Sequence, residues 1–308
     1  MKSLTLSQSC KIFFLDKTLA KTTAEQYKYF HGLLAEFLSD DPELESITSQ
    51  QIRRFLKWVR QDKELSPKTA ALAHTAVSSL WKWAEDELEI ENIVSGIKRP
   101  KFHQKPIDIF TQEQIKAIMQ AAEFSNYERY GKEIKAKRPT ALRDMAIILT
   151  LLDGGLRATE LCNLLISDYD DELGRFLIRN GKGDKSRFIY VGKRCQRAIM
   201  RYLINRKSSK PNDPLFAAGE FEDSHIDRKN LRKYMQRIGN SAGVKGVHPH
   251  RFRHTMAVTF LRNGGRIEQL RLLLGHGDLR TVLHYARLAE VDLENAMASA
   301  SPADNWKL

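Results

Sequence analysis

The stretch Lys98-Arg-Pro-Lys-Phe-His-Gln-Lys-Pro106 divides this chain into two parts that cannot share one periodic pattern. Its prolines fix φ and remove backbone donors, and no apolar period runs through it, so neither helix nor strand continues across. It reads as a basic interdomain linker, and 308 residues suit two domains of roughly 150 residues each. The sides differ in charge as well as texture. Residues 1–98 carry 13 Lys and Arg against 14 Asp and Glu, a net of −1, while 99–308 carry 37 against 24, a net of +13. The basic excess therefore lies entirely beyond position 98. Nucleic acid is the polyanionic partner this suggests, with ordinary solubility charge as the alternative.

Composition removes several classes. A hydrophobic content of 42% supplies a core and excludes a disordered polymer. Cys10, Cys162 and Cys195 are too few and too scattered for a disulfide framework or a Cys-based zinc site. The longest apolar stretch, 145–152, is far short of the about 20 residues that span a bilayer. No sustained apolar core opens the chain as a signal peptide would. The expectation is a soluble, cytoplasmic, basic protein with no membrane partner.

Before the linker the pattern is helical. Tyr27, Phe30, Leu33, Leu34, Phe37 and Leu38 share one face after Thr22-Thr23. Thr48-Ser-Gln-Gln51 reads as a capping box ahead of Ile52, Phe55, Leu56 and Val59, and Ser66-Pro67 places proline in the first turn of the next helix. After the linker Thr111-Gln-Glu-Gln114 caps another helix, and 139–152 reads as a buried helix ending at Asp153-Gly-Gly155. Short strands are expected at 164–168, 175–179 and 187–191, the last two joined as a hairpin by Asn180-Gly-Lys-Gly-Asp-Lys185. Helices follow near 194–206, 226–242, 250–263, 266–274 and 279–287. The fold class is mainly α with one small antiparallel β-sheet, an α+β arrangement.

Four stretches carry chemistry: Gly154-Gly-Leu-Arg-Ala-Thr-Glu160, Gly181-Lys-Gly-Asp-Lys-Ser-Arg187, His248-Pro-His-Arg-Phe-Arg-His-Thr255, and Leu273-Leu-Gly-His-Gly277 ahead of His284-Tyr285. Each alone has a plain structural reading, as a helix cap, a turn, a solvated basic face or a rim tyrosine. His250 and His254 stand i,i+4, but no third ligand has conventional spacing and Arg251 and Arg253 would repel a cation, so no metal is expected. The Walker spacing is absent, so ATP is not indicated. Together the stretches offer arginines suited to phosphate oxygens, a lysine able to protonate a leaving oxygen, and a phenol that neighbouring cations can activate.

In this order the boxes resemble those of the tyrosine recombinases, the Xer-type recombinases and the phage and transposon integrases. The likeness covers most of 109–290, and the earlier helical segment resembles the family's core-binding domain. The resemblance implies a helical, SAM-like core-binding domain at 1–98, a linker at 99–108, a catalytic domain at 109–290 and a tail at 291–308 that packs on a neighbouring protomer. It implies that Arg157 and Arg253 clamp the scissile phosphate and that His276 donates a third hydrogen bond. His250 assists proton movement at the nucleophile or the phosphate, and Glu160 orients the site without reacting. Lys182 is the general acid for the 5′-hydroxyl, ahead of Lys185. Tyr285, nine residues after His276, attacks to form a 3′-phosphotyrosyl intermediate that conserves bond energy, with neither ATP, metal nor other cofactor. Lys98, Arg99, Lys101, Lys185 and Arg187 are the expected DNA contacts.

The implied partner is double-stranded DNA bearing specific sites, gripped between two domains as a C-shaped clamp. The implied assembly is a homotetramer on DNA and a monomer in free solution, with accessory proteins left open and a nucleoid location when bound. Departures are small: Gly154 stands where the family commonly has Thr, and Phe252 where it has Leu. Residues 125–138 lengthen a connection that is often shorter, as a basic insert for DNA or a neighbour, or as a solvated loop. His254 is assigned to supporting its helix. A type IB topoisomerase and a catalytically silent DNA-binding regulator on the same fold are the rival readings.

Overall fold

The computed structural model describes residues 4–102, 106–129, 132–179, 186–206, 210–218, 224–275, 279–289 and 301–306. They form two compact units, 1–105 and 106–308. The first contains α1 (Leu6–Asp16), α2 (Lys21–Leu38), α3 (Ser49–Gln61) and α4 (Pro67–Leu88). Thr5 and Thr48 open α1 and α3 with capping boxes closed by Gln8 and Gln51, satisfying donors that a helix start leaves orphaned. Ser66 caps α4, with Pro67 in its first turn. Small residues Ala70, Ala73, Ala76 and Ala84 let α4 approach its neighbours closely, while Trp81 and Trp83 fill the remaining volume. Trp83 meets Phe13 edge-on at 5.9 Å and donates its indole N–H to Asp16 at 3.0 Å, which ties α1 to α4.

The second unit contains α5 (Gln112–Glu123), β1 (Phe124–Arg129), β2 (Lys132–Lys137), α6 (Ala141–Gly154), α7 (Ala158–Cys162), β3 (Tyr169–Asp170), β4 (Arg175–Ile178), β5 (Arg187–Tyr190), α8 (Lys193–Ile204), α9 (Arg228–Ser241), α10 (Pro249–Arg262), α11 (Ile267–Leu274) and α12 (Leu279–Leu288). Helix α6 buries Ala146, Ile147, Ile148, Leu149 and Leu151 around its whole circumference, the mark of a central helix, and α5, α8 and α10 pack on it. Strands β3, β4 and β5 form an antiparallel sheet in that order, with Phe176 opposite Ile189 on the buried face and Phe188 and Tyr190 exposed on the other. A separate apolar cluster joins α10, α11 and α12 through Met256, Leu261, Leu270, Leu274, Val282 and Tyr285.

The α+β class with dominant helices holds. Three local expectations change. Residues 164–168 are not a strand: Asp168 accepts the Leu165 N–H at 2.9 Å and closes a 3₁₀ turn over Ile166–Asp168, so β3 begins one residue later. The 125–138 insert is not a loop but most of a hairpin, with β1 and β2 paired from Phe124 opposite Lys137 to Arg129 opposite Lys132. Asp108, counted with the linker, is tied into the second unit by Arg251 at 2.9 Å. Helix α1, which the sequence reading passed over, carries the Thr5-Leu-Ser-Gln8 box that could have revealed it.

Candidate active site

The site is assembled where helix ends meet. Helix α6 stops at Gly155, which takes φ +57 and where an added Cβ would lie 3.1 Å from Met256 Sδ and from Leu274 Cδ2. Two residues later Arg157 stands at the N-cap of α7, and Glu160 accepts both its backbone N–H (2.8 Å) and its Nη1 (2.7 Å). From β5, Arg187 grips the same carboxylate with Nη1 and Nη2, each at 3.0 Å, and donates Nε to the Leu273 carbonyl at 2.8 Å. Burial pushes the Glu160 carboxyl upward, but hydrogen bonds from Arg187 and Arg157 and the Arg187 charge outweigh it and bring the pKa down to about 2. The i,i+3 pair read from sequence is thus the lower half of an Arg–Glu–Arg bridge that fixes Arg157.

Arg187 was expected on DNA. Its place is internal: the side chain is 11% exposed and its nitrogens are committed to Glu160 and Leu273. The hairpin position suggested a solvated face, but β5 delivers this side chain under the C-terminus of α11. Lys98, Arg99 and Lys101 are exposed in the first unit, and Arg99 donates Nε to the Ala71 carbonyl at 3.3 Å. Lys182, Lys185 and His276 lie outside the described residues, as do Leu293 and Met297 of the tail; Trp306 is exposed.

Arg253 is the most enclosed charge of the site at 1% exposure. Its Nη1 donates to the Gly155 carbonyl and its Nη2 to the Leu274 carbonyl, both at 2.7 Å. These acceptors sit at the C-terminal ends of α6 and α11, where unpaired carbonyls carry partial negative charge, so the fold itself supplies counter-charge. Burial lowers the guanidinium to about 10, with the Arg157 charge acting the same way, and it remains cationic at neutral pH.

The expected nucleophile is also enclosed. Tyr285 is 3% exposed on α12, packed in the α10–α12 cluster, and its hydroxyl lies 2.9 Å from Nδ1 of His254. Burial raises the phenol above its ordinary value, while Arg253 and Arg157 pull it down without overcoming that effect. The expected cations act on the phenol in the downward direction, and burial outweighs them. His254 is itself lowered to about 4 by burial and then by His250, His248, Arg253 and His284. His250, exposed in the first turn of α10, sets its ring edge-on to His254 with centroids 4.2 Å apart. His254, read as a helix support, therefore touches the phenol directly; the i,i+4 histidines held that signal.

Helix α9 adds residues that the sequence reading missed. It buries Leu231, Tyr234, Met235 and Ile238 and exposes Arg228, Lys229, Arg232, Lys233 and Arg237. Arg228, Lys229 and Arg232 join Arg157, His248 and His250 around an open cleft of about 570 Å³. The signal was available as basic residues phased opposite an apolar stripe.

Comparison with known proteins agrees with this architecture. Residues 108–291 match the phage integrase family, and 9–90 match the phage integrase N-terminal SAM-like domain. The chain is 30% identical over 287 residues to tyrosine recombinase XerA of Pyrococcus furiosus, covering 93% of this chain and 90% of the relative. It is 25% identical to tyrosine recombinase XerC of Staphylococcus epidermidis, over 89% of this chain and 90% of the relative. Among solved structures, the Tn1549 transposon integrase in complex with a circular intermediate DNA matches with TM-score 0.76 at 18% identity, covering 92% and 95% of the two chains. A lambda integrase tetramer bound to a Holliday junction matches with TM-score 0.72 at 17% identity, covering 92% and 78%.

These matches define an enzyme that breaks and rejoins DNA strands, a tyrosine recombinase. The chain belongs to the phage integrase family, and its activity is site-specific recombination.

Proposed function

We propose that Tyr285 attacks a scissile phosphate held between Arg157 and Arg253, leaving a 3′-phosphotyrosyl link and a free 5′-hydroxyl. Support for this reading comes from the packing of Tyr285 on α12 against α10, the helix that carries Arg253. Two guanidiniums neutralise charge on the non-bridging oxygens as it grows, without ATP or metal. Lys182 protonates the leaving 5′-oxygen, with Lys185 the second candidate, and His276 donates a further hydrogen bond to the phosphate. His250 assists proton movement, and Glu160 holds Arg157 in place.

Duplex DNA runs along the cleft between α9 and the start of α10, where Arg228, Lys229 and Arg232 take backbone phosphates. Lys98, Arg99 and Lys101 track the DNA backbone, and the helical domain and the catalytic domain each contact the duplex. Four protomers assemble on two sites, and residues 291–308 pack on a neighbour. A cleft of about 540 Å³ lined by Phe110, Ile115, Leu152, Met256 and Phe260 suits an apolar segment of that kind.

The test is incubation of the full chain with nicked duplexes of randomised sequence, followed by capture of detergent-resistant protein–DNA adducts. Wild type should form an adduct and Tyr285→Phe none. A wild-type chain without adducts, or an undiminished adduct in Tyr285→Phe, rejects the mechanism.

A further inference from the structure

We propose that Arg187 is a positioning residue for strand cleavage: by occupying both oxygens of Glu160 it stops that carboxylate from capturing Arg157, whose guanidinium stays available to the DNA phosphate. This rests on the reading of Arg157 as a phosphate ligand and goes beyond it, because holding an arginine in place and leaving it free to bind are opposed demands on one carboxylate.

Glu160 is enclosed, with 7% of its side chain exposed, while Arg157 is 31% exposed and lines the cleft with Arg228, Lys229 and Arg232. Carboxylate and phosphate present the same fork of oxygens to a guanidinium, so a carboxylate within reach competes directly with the phosphate. An enclosed carboxylate with a single cation to pair with holds that cation hard, because parting leaves a buried charge uncompensated. In this structure the fork belongs to Arg187, with Nη1 on Oε1 and Nη2 on Oε2, each at 3.0 Å. Arg157 shares the carboxylate through Nη1 alone, at 2.7 Å to Oε1, and its backbone N–H takes Oε2 at 2.8 Å. A guanidinium has five N–H donors, so one spent on Glu160 orients the group and leaves Nε and Nη2 for a ligand.

Arg187 is itself held against rotation. Its Nε donates to the Leu273 carbonyl at 2.8 Å, which fixes the plane of the guanidinium, and its side chain is 11% exposed. Its Cδ lies against Gly275, where an added Cβ would stand 3.1 Å away. The next carbonyl along, that of Leu274, accepts Nη2 of Arg253 at 2.7 Å. The last turn of α11 therefore sets the places of both Arg187 and Arg253, one at the carboxylate and one at the other side of the phosphate-binding pair.

The experiment measures adduct formation by the full chain at saturating nicked duplex recovered from the randomised pool, at a temperature where thermal melting shows every variant folded. Wild type is compared with Arg187→Met, Arg187→Lys, Glu160→Gln and the two double variants that add Glu160→Gln, and duplex affinity is measured separately. Arg187→Met should slow the saturated rate about 100-fold, as when one charge-stabilising donor is withdrawn from a reacting centre. Its duplex affinity should stay within about threefold of wild type, since other cations carry most phosphate contacts. Arg187→Lys supplies charge without the fork and should fall between the two; it carries the comparison if the Met variant does not fold. Adding Glu160→Gln to either variant should restore the rate at least about tenfold, because glutamine still accepts a bond from Arg157 but has no charge to hold it. A merely structural Arg187 gives the opposite sign, with a second lost partner slowing the reaction further. Double variants as slow as the Arg187 single variants, or Arg187→Met within about threefold of the wild-type rate, would overturn the role of Arg187 while leaving Arg157 on the phosphate. A wild-type rate in Arg157→Ala would overturn the reading of Arg157, and this proposal with it.

Discussion

Arg187 and Glu160, 27 residues apart in sequence, meet side by side with two nitrogens facing two oxygens at 3.0 Å each. The same carboxylate holds Arg157, so one buried anion positions two cations of unlike purpose. One anchors β5 to the end of α11, and the other faces the cleft.

Stability should follow this carboxylate at acid pH. A depressed pKa stabilises the fold fully above the unfolded value near 4.5, and the contribution is lost as pH falls toward about 2. The shift corresponds to about 3 kcal/mol. Thermal melts from pH 6 to 2.5 should show a decline in wild type that is shallower in Glu160→Gln, which is also less stable at pH 7 because two guanidiniums lose their partner. Parallel curves for the two proteins would remove Glu160 as the cause.

Gly275 should resist substitution. It caps α11 at φ +62, and a Cβ there would lie 2.9 Å from Nη1 and 3.1 Å from Cδ of Arg187. Gly275→Ala should cost about 1–2 kcal/mol for the left-handed backbone, with more for moving Arg187. A urea midpoint unchanged from wild type would show that the turn relaxes freely.

The exposed cations of α9 should matter for DNA and not for folding. Arg228→Ala, Lys229→Ala and Arg232→Ala should each change stability by less than about 0.5 kcal/mol. Each should lower DNA affinity across sequences and reduce the salt slope by about one. Binding titrations at several salt concentrations check this, and unaltered slopes would place the duplex elsewhere.

Tyr285→Phe should separate folding from chemistry. It removes one hydrogen bond, to His254, worth about 1 kcal/mol net, and keeps the ring in its cluster. The variant should bind DNA like wild type while forming no adduct. Loss of DNA binding would mean the hydroxyl organises the site instead of reacting in it.

Much of this molecule was legible from local pattern. Capping boxes at Thr48 and Thr111, the proline after Ser66, and the apolar phase of Phe30, Leu33 and Leu34 depend on residues three or four apart, and those helices formed as expected. The family boxes were legible too, because each is a short string in fixed order, and they pointed to the family that the chain matches. The misreadings share a cause. The 3₁₀ turn at Ile166–Asp168 arises from an aspartate bonding its own backbone, which the strand pattern masks. Arg187 looked like a solvent-facing hairpin cation because its acceptors, Glu160 and Leu273, are remote in sequence.

By itself, then, the sequence determined the helical elements, the change of charge beyond position 98 and the family to which the chain belongs. Tertiary structure decided what the residues of the site experience. Docking α12 on α10 buries Tyr285, raises its phenol against the pull of two arginines, and sets it on His254, 31 residues away. Docking α6 and α11 against α10 provides the two carbonyls that make a buried Arg253 tolerable. Desolvation and hydrogen bonding act through space at a few ångströms, and only the packed chain brings such distances into being.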